Sequence, residues 1–427
     1  MPPSRPKSAV ALCIGIIAGM RMRSISLAAF AAAALVAAAT VTLDMPALAA
    51  ASHPARSTAL PPAKNFLFWT QRQQELGYRN IEKIFPTRVV KRGNHIMPLP
   101  RAARQMSVHY EYRGSHWNTA RFMKANHVAG LIVVHDGKIV LERYGLGDTE
   151  HDRWTSFSVG KSITSTLVGA AIKDGYISSL DAEVTKYIPA LKGSAYDGVT
   201  IRELLTMTSG VKWNEDYTNP NSDVNRFALE RVPASGEDPV VAYMARLPRE
   251  AKPGTKFEYK TGESDLIGVL VAKATHMHLA DYLSEKIWKT VGMQRNAVWM
   301  LDRGGNEMGG CCLSMTLRDY ARFGLFFMHG GVADGKQILP KNWVKEASST
   351  QIRSDWQHYG YGFQWWVEPG GKAYEAIGIF GQSIYINPEE NLVIVTNSAW
   401  PKPDSDRLYA NHDAFVAAVI KTLPRQQ

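Results

Sequence analysis

The chain has 427 residues, 45% of them hydrophobic and 21% charged, a composition that excludes a disordered or low-complexity body and leaves room for a sizeable core. At about 150 residues per domain, the length fits two to three domains, or one domain with a large insertion. The formal net charge is +10, but the basic residues are scattered rather than striped, which argues against a nucleic-acid partner.

Arg21 and Arg23 precede an apolar stretch from Ser26 to Leu43, and Ala47-Leu48-Ala49 supplies a small-x-small cleavage site before Ala50. This pattern predicts a secretory signal peptide over residues 1–49 and a periplasmic or secreted product with no stable membrane anchor. The apolar run Ala9–Met20 lengthens the segment toward an anchor, and a start at Met20 or Met22 removes it. Losing Arg5, Lys7, Arg21, Arg23 and Asp44 takes the net charge from +10 to +7. Cys13 falls in the leader, after Leu12, too large a residue for a lipoprotein box. The other cysteines, Cys311 and Cys312, are adjacent, which excludes a disulfide framework and a multi-cysteine metal site but fits either a vicinal disulfide or two thiols.

Residues 50–100 read as a linker, rich in Ala, Pro and Ser up to about Ala63, followed by an irregular arm. Leu131–Val134 and Ile139–Leu141 flank Asp136-Gly137, a strong hairpin signal. A helical pattern runs from Ser158 to Asp174, stopped by Gly175, with Ile163, Leu167, Val168, Ala171 and Ile172 on one face. A mostly helical stretch, about 176–305, includes Ile201–Met207 and Ser264–His276. After Gly309-Gly310, Thr316–His329 is an amphipathic helix. Strands return at Ser383–Ile386 and Leu392–Thr396, and Arg407–Leu423 closes the chain as a helix. This order predicts an α+β fold over 101–427, in which an antiparallel sheet is assembled from both chain ends, flanked by helices, with the helical lobe inserted.

Gly160-Lys161-Ser162 lacks the first glycine of a phosphate loop, since Thr155 stands there. No H-E-x-x-H zinc motif and no G-x-S-x-G elbow occur, and His276 and His278 would diverge on a helix. Ser158-Val159-Gly160-Lys161 is more informative. Its i, i+3 spacing brings an amine within reach of a hydroxyl at a helix start, where N–H groups favour developing negative charge. A serine becomes a useful nucleophile when a neighbour takes its proton, and a lysine can do so once burial or positive charge lowers its pKa. The plain alternative is an N-cap serine and a solvated lysine. Tyr259-Lys260-Thr261, between the Pro253-Gly254 turn and a helix, adds a loop tyrosine able to pass a proton.

Together these motifs make the chain resemble the penicillin-recognising serine hydrolases with the class C β-lactamase fold, over roughly Leu131–Asn397. The resemblance rests on the hairpin, on Ser156–Ser162, on Leu204–Gly210, on Pro253-Gly254 through Thr261, on Thr316–Asp319 with Arg322-Phe323-Gly324, and on Asn387-Pro388-Glu389. The run from Ser156 through Gly210, with Ala195–Gly198 inside it, is most similar to the 6-aminohexanoate-dimer (nylon oligomer) hydrolase branch. The resemblance implies Ser158 as acylated nucleophile, Lys161 as its proton acceptor and Tyr259 as proton shuttle. It implies an oxyanion hole from the N–H of Ser158 and an N–H on an edge strand, which aligns with Ile379, and no metal or organic cofactor. It places Tyr217, Thr261, Ile377 and Gly378 at the substrate.

Two departures bear on substrate. Thr261 replaces the usual Asn, and Ala376 and Ile377 replace the cationic and hydroxyl residues of the third motif, so a buried cation for a substrate carboxylate is missing. The expectation is a small-molecule amide or ester rather than a β-lactam or D-Ala-D-Ala peptide, with a non-catalytic acyl-accepting sensor as the competing class. Trp365-Trp366 would line the cleft in part and pack the core in part.

Overall fold

The structure is a computed structural model that describes residues 59–354, 356 and 358–424. The expected leader and most of the linker lie outside the described residues, and no described helix is long and apolar enough to cross a membrane.

Eight strands form the main sheet. They are β1 (Val128–His135), β2 (Lys138–Tyr144), β3 (Ile352–Arg353), β4 (Gly360–Tyr361), β5 (Trp366–Val367), β6 (Tyr374–Gly378), β7 (Gln382–Asn387) and β8 (Leu392–Ser398). Their spatial order is β3-β4-β5-β6-β7-β8-β1-β2, antiparallel throughout. The predicted hairpin is present: Asp136 and Gly137 have φ of 49° and 70°, the positive pair that a two-residue type I′ turn requires. β8 pairs with β1, Ile394 opposite Val133 and Thr396 opposite Leu131, so the two ends of the chain meet in the sheet, as the element order predicts.

Both faces of the sheet are covered, which is why β1 and β8 read as continuous apolar runs rather than alternating ones. Ile132, Val134, Val393 and Val395 face the larger core. Leu131, Val133, Leu392 and Ile394 join Phe415 and Val419 of the closing helix in a second one.

The principal helices are α1 (Val159–Lys173), α2 (Thr261–Thr275), α3 (Leu317–Met328) and α4 (Asp406–Thr422). α1 differs from its expected one-faced pattern, because every residue from Val159 to Ala171 is buried. It runs between the sheet and α2, and its buried hydroxyls all find acceptors: Ser165 Oγ and Thr166 Oγ1 donate to the Ser162 carbonyl within the helix, while Ser162 Oγ donates to the Gln364 carbonyl and Thr164 Oγ1 to the Gly309 carbonyl outside it. α2 starts a turn earlier than predicted, at Thr261, which places Tyr259 at the last step of the preceding loop. The lobe is built of short helices, among them Ile201–Leu205 with a Thr200/Glu203 capping box and Pro239–Met244 capped by Asp238.

The arm is more regular than its composition predicts. Thr87–Val90 joins a second antiparallel sheet in the order Thr87–Val90, Ala297–Met300, Leu313–Met315, Trp154–Thr155. Upstream of it, Phe66, Trp69 and Tyr78 pack in an aromatic cluster with Phe157 and Phe380. Cys311 and Cys312 form a vicinal disulfide.

Candidate active site

The strand Trp154–Thr155 is held by its pairing with Leu313–Met315, and the chain then turns sharply into α1. Phe157 makes the turn with φ of 43°, a conformation that bulky residues adopt only when their surroundings enforce it. Here the ring is clamped by Tyr78 at 5.0 Å and by Phe66 and Phe380, each at 5.2 Å. Ser156 ties the backbone, its Oγ donating to the Phe157 carbonyl and accepting from the Leu313 N–H.

Ser158 occupies the N-cap of α1 but makes no capping hydrogen bond. Its Oγ accepts instead from Lys161 Nζ at 2.9 Å, one turn along. Lys161 is 1% exposed and also donates to Thr261 Oγ1 at 2.9 Å and to the Gly310 carbonyl at 2.8 Å, so all three ammonium donors are used. Burial pushes this lysine below its ordinary pKa, against the opposing pull of Glu215 and Asp265.

Tyr259 is half-buried, stacked on Trp366 at 5.7 Å, with Lys161 Nζ 5.1 Å from its ring centroid and Ser158 as hydrogen-bond partner of its hydroxyl. Desolvation raises its pKa and Glu215 adds to the rise, while the Ser158 contact opposes it. The three residues singled out for chemistry therefore converge, although Tyr259 is about a hundred positions from Ser158 in the chain.

The other expected residues are placed as follows. Gly378 ends β6, and a Cβ there would lie 2.8 Å from the Ser156 carbonyl and 3.1 Å from Ser158 N, so glycine permits the strand to abut the nucleophile turn. Ile379 follows it directly and packs in the cluster with Phe157 and Phe380. Among the described residues no turn or loop backbone hydrogen bond uses the N–H of Ser158 or of Ile379. β6 is an interior strand rather than the expected edge, because three short strands continue the sheet beyond it. Ile377 and Tyr217 are half-buried against the same cluster. The Tyr217 hydroxyl donates to Glu215 Oε1 at 2.5 Å. The Thr261 hydroxyl is engaged between Lys161 and Glu215, which it also contacts, rather than left to the cleft. Trp365 is fully buried and Trp366 half-buried beside Tyr259, as the split expectation for that pair has it.

Sequence reasoning missed four contributors. Phe157 sets the turn. Glu215 receives the Thr261 N–H at 3.0 Å as well as the hydroxyls of Thr261 and Tyr217. Asp265 accepts from the Gly310 N–H at 3.0 Å, and Gly310, read only as a break, holds Lys161. A Cβ on Gly310 would lie 2.9 Å from Thr261 Cγ2 and 3.0 Å from Asp265 Oδ2. These contacts join segments far apart in the chain and leave no local spacing to find.

Comparison with known proteins gives a concordant result. The chain is 31% identical over 306 residues to the 6-aminohexanoate-dimer hydrolase of Paenarthrobacter ureafaciens, covering 68% of this chain and 78% of that one. A Bacillus anthracis structure named as a candidate 6-aminohexanoate-dimer hydrolase superposes with a TM-score of 0.72 at 25% identity, over 86% of this chain and all of that one. A family VIII carboxylesterase shares the fold, with a TM-score of 0.56 at 15% identity, over 71% of this chain and 95% of the other. The Beta-lactamase family model matches residues 118–419, and the chain belongs to that family.

Proposed function

We propose that the protein is an exported serine hydrolase that cleaves an amide or ester through an acyl-enzyme on Ser158. The observation that carries this is the convergence of Ser158, a buried Lys161 and Tyr259, with the two titratable groups displaced in opposite directions. Lys161 is pushed down, so its neutral form is within reach as a base, while Tyr259 is pushed up and stays a protonated hydroxyl. Such a split is what allows one group to take a proton and another to deliver one.

Lys161 removes the proton from Ser158 Oγ as the oxygen attacks the substrate carbonyl. The N–H groups of Ser158 and Ile379 receive the oxyanion at the start of α1. The tetrahedral intermediate collapses, its C–N or C–O bond breaks, and Tyr259 hands a proton to the departing amine or alcohol. The proton held by Lys161 passes to Tyr259 and restores both groups; water then attacks the acyl carbonyl as Lys161 takes its proton, the C–O bond to Ser158 breaks, and that proton is returned to Ser158 Oγ. These steps call for no metal or cofactor.

The substrate reading rests on the third motif. Ala376 and Ile377 offer no cation for a carboxylate, and half-buried Trp366 and Tyr259 give an aromatic wall, which favours linear amides of the 6-aminohexanoate type and esters over β-lactams and D-Ala-D-Ala peptides. Export rests on the leader pattern of residues 1–49. Ser158→Ala should lower p-nitrophenyl ester hydrolysis at least about a thousandfold and abolish labelling by acylating probes. Full activity in that variant would sink the mechanism. A panel of 6-aminohexanoate oligomers, short-chain esters, D-amino-acid peptides and a chromogenic cephalosporin ranks the substrates. A stable adduct on intact-mass measurement, without turnover, would favour a sensor instead.

A further inference from the structure

Glu215 has no step in the chemistry above, yet its carboxylate is saturated. Oε2 accepts from the Thr261 N–H at 3.0 Å and from Trp213 Nε1, and Oε1 accepts from the hydroxyls of Tyr217, at 2.5 Å, and of Thr261. An ionised carboxylate accepts and cannot donate, so each of these partners must point its hydrogen at Glu215. For Thr261 this has a consequence at the next atom. Its single hydroxyl proton is committed to Glu215, which leaves only lone pairs facing Lys161 Nζ, 2.9 Å away. The Gly310 carbonyl on the same amine can likewise only accept.

A neutral lysine amine has two hydrogens and one lone pair. With two obligatory acceptors taking both hydrogens, the lone pair is left for the third neighbour, Ser158 Oγ at 2.9 Å. From this geometry we infer that Glu215 is a positioning residue that, through the Thr261 hydroxyl, aims the Lys161 lone pair at the Ser158 proton. The inference rests on the Ser158–Lys161 mechanism and adds what orients the base.

Replacing Glu215 by Gln tests the polarity directly. The two N–H donors on the Oε2 side leave no acceptor for an amide NH₂, so the NH₂ turns toward the hydroxyls. It then donates to Thr261, whose own proton swings to Lys161 and competes for the lone pair. The groups facing Lys161 are Glu215 from the lobe loop, Asp265 from α2 and the Tyr259 ring. β6 packs on α1 with Ala376 in their shared core and Gly378 against the Ser156–Ser158 backbone, neither of them charged. Removing the Glu215 charge therefore lowers the Lys161 pKa, because that carboxylate favours the ammonium.

The experiment is the pH profile of p-nitrophenyl ester hydrolysis by the full chain with Glu215→Gln, Thr261→Val, Thr261→Ser and the double variant Glu215→Gln/Thr261→Val. The expected result for Glu215→Gln is a plateau kcat about tenfold or more below wild type with little change in KM, and an acidic limb moved to lower pH. Thr261→Val should lose a similar factor, Thr261→Ser should retain activity, and the double variant should be no worse than either single one. An unchanged plateau, additive losses, or a limb moved to higher pH overturns the inference. Lysine labelled with ¹³C at Cε, with Lys161 assigned by its loss in Lys161→Met, reads the same charge effect without turnover. A Lys161 midpoint that does not fall in Glu215→Gln also overturns it. Ser158→Ala, run alongside, separates the two proposals: activity in that variant is a failure of the serine mechanism, whereas an inactive Ser158→Ala beside a wild-type-like Glu215→Gln is a failure of this one.

Discussion

At the scale of single residues, the site is a lysine kept dry and a tyrosine kept protonated. In the proposed mechanism Lys161 loses its proton before it accepts one from Ser158, so kcat/KM is expected to rise with pH through the lysine's own pKa. Burial sets that value below the ordinary one of about 10.4. We expect an acidic limb with its midpoint clearly below 10, and its disappearance from the residual activity of Lys161→Ala. Tyr259→Phe keeps the stacking on Trp366 and loses only the hydroxyl, so it should cost on the order of a hundredfold or more in turnover while leaving the melting temperature nearly unchanged. Ser158, Lys161 and Tyr259 were legible because each stands in a short local pattern tied to a helix start. Glu215 and Asp265 were not, since their partners at Thr261 and Gly310 are 46 and 45 residues away.

At the scale of elements, the decisive approach is that of β6 to the start of α1. Gly378 lets the strand come within contact of the Ser156–Ser158 backbone, and a methyl group there meets the Ser156 carbonyl at 2.8 Å. Backbone cannot move aside as a flexible side chain can. Gly378→Ala should therefore lower kcat/KM by about tenfold or more through a displaced Ile379 N–H, with a smaller effect on stability, and a wild-type kcat/KM would show that the strand does not set the oxyanion geometry. The hairpin, α1, α3, α4, β7 and β8 were read nearly to their ends from periodicity and turn chemistry, whereas the two-residue strands β3, β4 and β5 and the second sheet are too short to carry a periodicity and were not read. The burial of α1 was not. Its polar side chains suggested a solvent face, and only the layer packed on the far side, supplied by α2 from the lobe, makes that face interior.

At the scale of the whole molecule, the arm and the lobe both lean on the nucleophile turn. Trp69 is 5% exposed and packs on Phe66, Tyr78 and Phe85 at 5.0, 6.0 and 6.2 Å. Trp69→Ala should cost about 3–5 kcal/mol of stability and, through Phe66 and Tyr78, loosen Phe157. Thermal unfolding and ester turnover of that variant should fall together, and a loss of stability at full activity would show that the turn holds by itself. The arm's low periodicity hid this role, because its aromatic residues serve a cluster completed by Phe157 and Phe380 rather than a face of its own.

The pairing of β8 with β1 has a consequence for how the protein comes into being. Ser158, Lys161, Tyr259 and Gly310 all emerge from synthesis before the strands β6, β7 and β8, and the edge of β1 stays unpaired until Leu392–Ser398 arrives to join it. Closing a contact over so long a separation is slow, and the exposed strand edge invites wrong partners meanwhile. The strand that brings Gly378 and Ile379 up to the nucleophile turn is therefore locked in place through β7 and β8 only once nearly the whole chain has been made, which puts the surroundings of Ser158 among the last parts of the fold to close.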